Sequence, residues 1–278
     1  MPKKNGVIKM LQEAYVLLKN QYDECLKIVS DNPFCVGFTK EKWRHSMQVA
    51  GAGNYLVRHI EWLKTRPAVF IELVKTAVLL HDVCRFAEIV HLYRGDKGYD
   101  HGEAGGELLK NMLPYNDIRI WLPIKHHGHM IEDLYNDPAY KSITNEALRD
   151  EVEKICFIIR DADKIANLHM LANEDDIRYL FLGDKKENEG YVPEAAKQEA
   201  LSGVLVKREY RVNRAASAVT YLSWFADTNY QAAIDFCEKL NVPEKLYTLV
   251  ASYCLDKDFV AAYTGVIRNM LKNKAYLH

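Results

Sequence analysis

Several features are scarce in this chain of 278 residues, and each scarcity removes a class of protein. No apolar run reaches the roughly 18 residues that span a bilayer, so no membrane helix and no membrane partner are expected. Lys3 and Lys4 are followed by an amphipathic stretch, not by the apolar segment of a secretory leader. Cys25, Cys35, Cys84, Cys156, Cys237 and Cys254 are scattered without a CxxC pair. That pattern argues against a disulfide framework or zinc finger and for a reducing, cytoplasmic setting. Neither sign of charge prevails: 37 basic residues face 38 acidic ones, so nucleic acid is not an expected partner. Alternating runs bounded by hairpin turns are scarce, and there is no repeat or low-complexity segment. A P-loop, a GxGxxG turn and a Ser-His-Asp order are all missing, which removes the commonest phosphate-binding and nucleophilic machinery.

What is present is helix after helix. The composition, 49% hydrophobic, suffices for a full core. Val7, Leu11, Ala14, Leu18, Tyr22, Cys25 and Val29 recur at steps of three and four, one face of an amphipathic helix that Asp31-Asn32-Pro33 should break. Thr39 is the expected cap of a second helix carrying Trp43, Val49 and Leu56. Thr65-Arg66-Pro67 reads as another start, with Ile71, Val74 and Val78 as its buried stripe. Asp100 with Glu103 resembles a capping box. Leu148, Val152, Ile155, Ile159, Ala162 and Ala166 predict a long buried helix. The charged, glycine-bounded stretch 183–190 is the expected boundary between a metal-site core (1–182) and a C-terminal helical extension (183–278) packed on it, unless the two form one domain. Tyr221, Trp224, Phe225 and Tyr230 read as core.

Histidine placement carries the chemistry. His81-Asp82 ends the apolar run Val78-Leu79-Leu80. A buried unpaired carboxylate is expensive, and a divalent cation removes that cost. Imidazole nitrogen together with carboxylate oxygen suits Zn, Mn, Fe, Co or Ni. His45 lies upstream on its own predicted helix and Asp163 downstream on another.

The ordered set His45, His81-Asp82 and Asp163 resembles the HD superfamily of metal-dependent phosphohydrolases, whose pattern is H…HD…D on separate helices. The segment Ala162-Asp163-Lys164-Ile165-Ala166-Asn167 resembles the closing motif of members that hydrolyse guanosine tetraphosphate, which favours Asp163 over Asp161 as ligand. The Glu-Asp pair of those enzymes is replaced by Val83-Cys84-Arg85-Phe86, which argues against that activity. Asp100-His101-Gly102-Glu103-Ala104-Gly105 and Ile124-Lys125-His126-His127-Gly128 resemble the further histidine positions of two-metal members. The Gly-Tyr-Pro of the cyclic-dinucleotide enzymes is missing. The resemblance implies an all-α helical bundle holding one or two divalent transition metal ions, with additional N- and C-terminal helices. His45, His81, Asp82 and Asp163 would hold one ion. Asp82 would bridge to a second, held by His101 and by His126 or His127, with His127 favoured. Asp161 would orient a ligand histidine.

The expected activity is hydrolysis of a small phosphorylated substrate, a phosphate mono- or diester, by a metal-activated water. Asp82 is its central residue, and Arg85 and Lys164 hold a phosphate oxygen unless each is tied up in an ion pair. A di-iron oxygenase and a metal-stapled nucleotide sensor are the alternatives, and a homo-oligomer is open.

Overall fold

The computed structural model describes residues 4–186 and 188–277, with the side chains of residues 4–8 left aside. Val7 as a packing residue, Glu187 in the charged loop and His278 therefore lie outside the described side chains. The described residues form α-helices joined by turns, with no strand among them and a single bridge between Tyr230 and Leu277. The all-α expectation holds. Two compact units divide inside one long helix, one running to Asp163 and the other starting at Lys164. The 183–190 stretch falls within the second unit.

The first unit contains α1 (Lys4–Ile28), α2 (Pro33–His59), α3 (Glu61–Lys64), α4 (Ala68–Leu79), α5 (Arg85–Tyr93), α6 (His101–Lys110), α7 (Ile118–His126), α8 (Ile131–Asn136), α9 (Pro138–Lys141) and most of α10 (Glu146–Asn173). α4 is its centre and packs against α1, α2 and α7. The spacing of apolar residues explains this. Ala14, Leu18 and Cys25 of α1, Val49 and Leu56 of α2, and Val74 and Val78 of α4 are all buried. Leu11, Tyr22 and Ile71 are half-buried at the edges of those stripes. On α10, Val152, Ile155, Ile159, Ala162 and Ala166 are buried, and Leu148 is half-buried.

The start of α2 corrects one expectation. The helix begins at Pro33, with Asn32 as cap accepting the Cys35 N–H at 3.0 Å. Proline at the first helical position needs no N–H partner, so Asn32-Pro33 both ends α1 and opens α2. Thr39 lies inside the helix, buried, and donates its hydroxyl to Cys35 O at 2.7 Å.

The second unit comprises α11 (Arg178–Leu182), α12 (Glu194–Leu201), α13 (Arg214–Leu222), α14 (Gln231–Lys239), α15 (Val242–Tyr253) and α16 (Lys257–Asn273). Its core surrounds α13, where Ala215, Ala216, Ala218, Val219, Tyr221 and Leu222 are buried. Phe225 and Tyr230 are fully buried there too. No helix among the described residues is long and apolar enough to cross a membrane. All six cysteines are buried and none forms a disulfide.

Candidate metal centre

His81 and Asp82 sit in the turn where α4 has stopped and α5 has not begun. Leu80 closes α4 with its N–H on Thr76 O at 3.0 Å, and the Arg85 N–H on Asp82 O at 2.9 Å leads into α5. Both side chains are buried, at 0% and 1% exposure.

Glycines bring the other donors to them. His45 stands mid-way along α2, and a Cβ built on Gly53 of the same helix would lie 2.5 Å from Val78 Cγ1. Only glycine admits that approach of α2 to α4, which sets the His45 and His81 rings 5.7 Å apart between centroids. His101 is the first residue of α6, behind Asp100, whose carboxylate accepts the Glu103 N–H at 2.9 Å. Only that half of the capping box forms, since the Glu103 carboxylate pairs with Lys125 at 3.1 Å. A Cβ on Gly102 would come within 2.8 Å of Lys125 O, and one on Gly106 within 2.6 Å of Lys125 Cβ. The glycine face of α6 therefore presses on α7 and leaves His101 and His127 with ring centroids 5.2 Å apart. His127 caps the C-terminal end of α7, where buried Arg160 of α10 donates to the carbonyls of His127 and His129.

The donors form two groups: His45, His81 and Asp163, and Asp82, His101 and His127. Within each, one ligand atom per residue lies within 4.8 Å of the others. His45 Nε2 is 2.8 Å from Asp163 Oδ1, and His81 Nε2 is 4.0 Å from the same oxygen. Asp82 stands between the groups. Its Oδ2 is 3.7 Å from His81 Nε2, while its Oδ1 is 3.1 Å from His101 Nε2 and 3.5 Å from His127 Nε2.

These spacings test the fit of a divalent ion. For ligand bonds of about 2.1 Å, neighbouring donors lie about 3.0 Å apart at right angles and about 3.4 Å apart at tetrahedral angles. The observed range of 2.8–4.0 Å brackets both. Tautomers agree: His81 Nδ1–H donates to Val78 O at 2.9 Å and His127 Nδ1–H to Ile124 O at 2.7 Å, which leaves both Nε2 lone pairs turned inward. His81 Nε2 is buried with no hydrogen-bond partner. An orphaned buried acceptor is costly unless something absent from the chain fills the place.

Charge is arranged in the same sense. Burial pushes the His81 pKa down to about 4, so the ring is neutral at neutral pH. Burial opposes ionisation of Asp82, but Arg85, His81 and His101 together hold its carboxyl well below the usual range. Asp163 is likewise kept ionised against its burial, by the His45 hydrogen bond and the two nearby histidines.

The remaining expected residues separate. Arg85 lines the second group: Nε is 3.3 Å from Asp82 Oδ2 and Nη2 is 2.7 Å from His101 Nε2. His126 stands outside both groups, its Nε2 on Asp137 at 2.9 Å. The helix end explains the difference: α7 stops at His126, and the next residue is the one that turns inward. Lys164 takes the ion-pair alternative, with its ammonium 2.8 Å from Asp227. Asp161 is fully buried and belongs to neither group. The carbonyls of Val78 and Ile124 hold the His81 and His127 rings, and Glu88 lies 3.4 Å from His101 Nδ1.

Sequence reasoning passed over Glu88, Arg160 and Lys42. Lys42 precedes His45 by one helical turn, and the fields of Arg85, Asp82, Asp163 and Glu88 reach it. Its signal was the same-face spacing to His45.

The HD domain family model matches residues 43–168, a stretch that contains every member of both donor groups. This stretch is therefore similar to the HD domain, an all-α fold whose members are commonly metal-dependent hydrolases. No curated protein and no solved structure matches the chain.

Proposed function

We propose that this protein hydrolyses a small phosphate ester with two divalent transition metal ions held in adjoining donor sets. The observation that carries the reading is the place of Asp82, with one carboxylate oxygen toward each group, beside the orphaned His81 Nε2. His45, His81 and Asp163 would hold one ion, His101 and His127 the other, and Asp82 would serve both. Bound ions supply Lewis acidity and a water acidic enough to lose its proton near neutral pH.

The chain's own residues do the rest. Val78 O and Ile124 O fix the two imidazoles so that no reorientation is needed on binding. Glu88 holds Arg85 and His101 together. Arg85, held by Asp82, Glu88 and His101, would neutralise charge on a phosphate oxygen that takes the place of one of them. No side-chain nucleophile is required. Buried cysteines without a disulfide fit a reducing compartment.

Single turnover in ¹⁸O water tests the proposal. Metal-loaded protein should release phosphate carrying one solvent oxygen, with no phosphorylated enzyme. A trapped phosphoenzyme, or full activity in Asp82→Asn, contradicts it.

A further inference from the structure

Beside Arg85 and Glu88 lies a cleft of about 480 Å³ that the donor sets do not use. Its other walls are Phe38, Ile89, Leu92 and Tyr99, with Asp96, Lys97 and Gly98 along one side. Two of these walls are aromatic and braced from behind. Phe38 stacks on Phe34 at 6.1 Å and 20°, and Tyr99 stacks on His91 at 4.5 Å and 23°. Rings held by a second ring are preorganised, and a flat group entering beside them loses little to side-chain ordering. The apolar surface extends outward, with Leu92 49% and Phe34 59% exposed. A cleft of this size suits a small organic molecule.

A cation next to the aromatic wall, one helical turn from Phe38, points to what that molecule carries. Phe38, Lys42 and His45 fall at steps of four and three, on one face of α2. The same helix face thus runs from the aromatic wall through an ammonium to a donor of the first group. Lys42 Nζ is 5.5 Å from the Phe38 ring centroid. None of the ion pairs involves it, and the acids that act on it are those of the donor sets and Glu88. A cation left unpaired beside a phosphohydrolase centre matches a substrate anion. On the opposite wall Arg85 reaches from the cleft to Asp82.

We infer that this cleft receives the organic group of the substrate, that the substrate is a phosphate monoester of a flat, largely apolar alcohol such as an aryl one, and that Lys42 draws its phosphate toward the donor sets. This rests on the phosphohydrolase reading above. One cleft takes one organic group. The remaining phosphate oxygens face Lys42, Arg85 and the donor sets.

The test compares phenyl phosphate with glycerol 3-phosphate on the full-length, metal-loaded chain, by steady-state kinetics and by calorimetric binding. Wild type should favour phenyl phosphate in kcat/KM. Phe38→Ala should lower that preference roughly five-fold, through KM, and weaken phenyl phosphate binding by the same factor. Leu92→Ala, at a half-exposed position, should shift both in the same direction. Lys42→Met should weaken both esters alike, and Lys42→Arg should restore most of the loss. A wild type that does not discriminate, or a Phe38→Ala effect equal for the two esters, overturns the cleft assignment and leaves the hydrolase reading standing. If neither ester is turned over but phenyl phosphate binds and Phe38→Ala weakens it, the hydrolase reading fails and the cleft assignment holds. Absence of both turnover and binding overturns both.

Discussion

The two donor groups contain the same kinds of atom yet are held in different ways. In the first, His81 Nε2 is buried and without a hydrogen-bond partner, and its nearest acids stand 3.7 and 4.0 Å away. In the second, Asp82 Oδ1 is also buried without a hydrogen-bond partner, but His101 Nε2 already meets Arg85 Nη2 at 2.7 Å and His101 Nδ1 meets Glu88 at 3.4 Å. An ion entering the first group fills an unsatisfied place. An ion entering the second displaces Arg85 from an imidazole lone pair. The lesson is that matched ligand chemistry does not give matched affinity: the first group should bind tightly and the second weakly.

The largest effect expected is that of Asp82→Ala. Its carboxylate faces both groups, so elemental analysis should find both ions lost and kcat reduced at least about a thousandfold. Retention of both ions would remove the shared carboxylate from the comparison. His101→Ala sharpens it: the first ion should stay, the second should go, and turnover should fall far more than stability. His127→Ala should behave alike. His126→Ala should keep both ions and cost about 1–3 kcal/mol of stability in denaturant melts, because it leaves buried Asp137 short of a partner.

Arg85→Met tests the competition itself. Affinity for the second ion should rise about ten-fold in calorimetry, a change of ~1.4 kcal/mol, while turnover falls. A drop in second-ion affinity would show that Arg85 supports the site and does not compete for it. Chelation comes next: removing both ions should lower Tm by several degrees, as expected for ligands held at about a hundred times their Kd. Lys164→Ala should be the mildest. With its ammonium on Asp227, kcat/KM should change less than about two-fold, and the lost ion pair should cost about 1 kcal/mol or less.

Part of this was legible in the sequence, and the reasons are physical. Steps of three and four exposed the helices because burial on one face leaves that period. His81-Asp82 could be read because an apolar helix seldom stops on two metal-type ligands without cause. Thr39 misled because capping preference is local: two residue types that cap well lay close together, and Pro33 decided between them by fixing the helix start. The ion pair of Lys164 had no named partner because Asp227 lies far along the chain, where no spacing rule reaches. The choice between His126 and His127 turns on the residue at which α7 ends, and helix ends are the least legible part of a sequence. Gly102, Gly106 and Gly53 were present in the text, but their use is a backbone approach between helices, visible only when both helices are in place.

The central claim is that Asp82 joins two unequal ion sites. Electron paramagnetic resonance of the full-length protein titrated with Mn(II) tests it most directly. At one equivalent an isolated-ion spectrum is expected from the first group. At two, an exchange-coupled pair bridged by Asp82 should appear, and His101→Ala should abolish it while keeping the isolated-ion signal. A spectrum that saturates at one uncoupled ion, or that is unchanged by His101→Ala, would contradict the account.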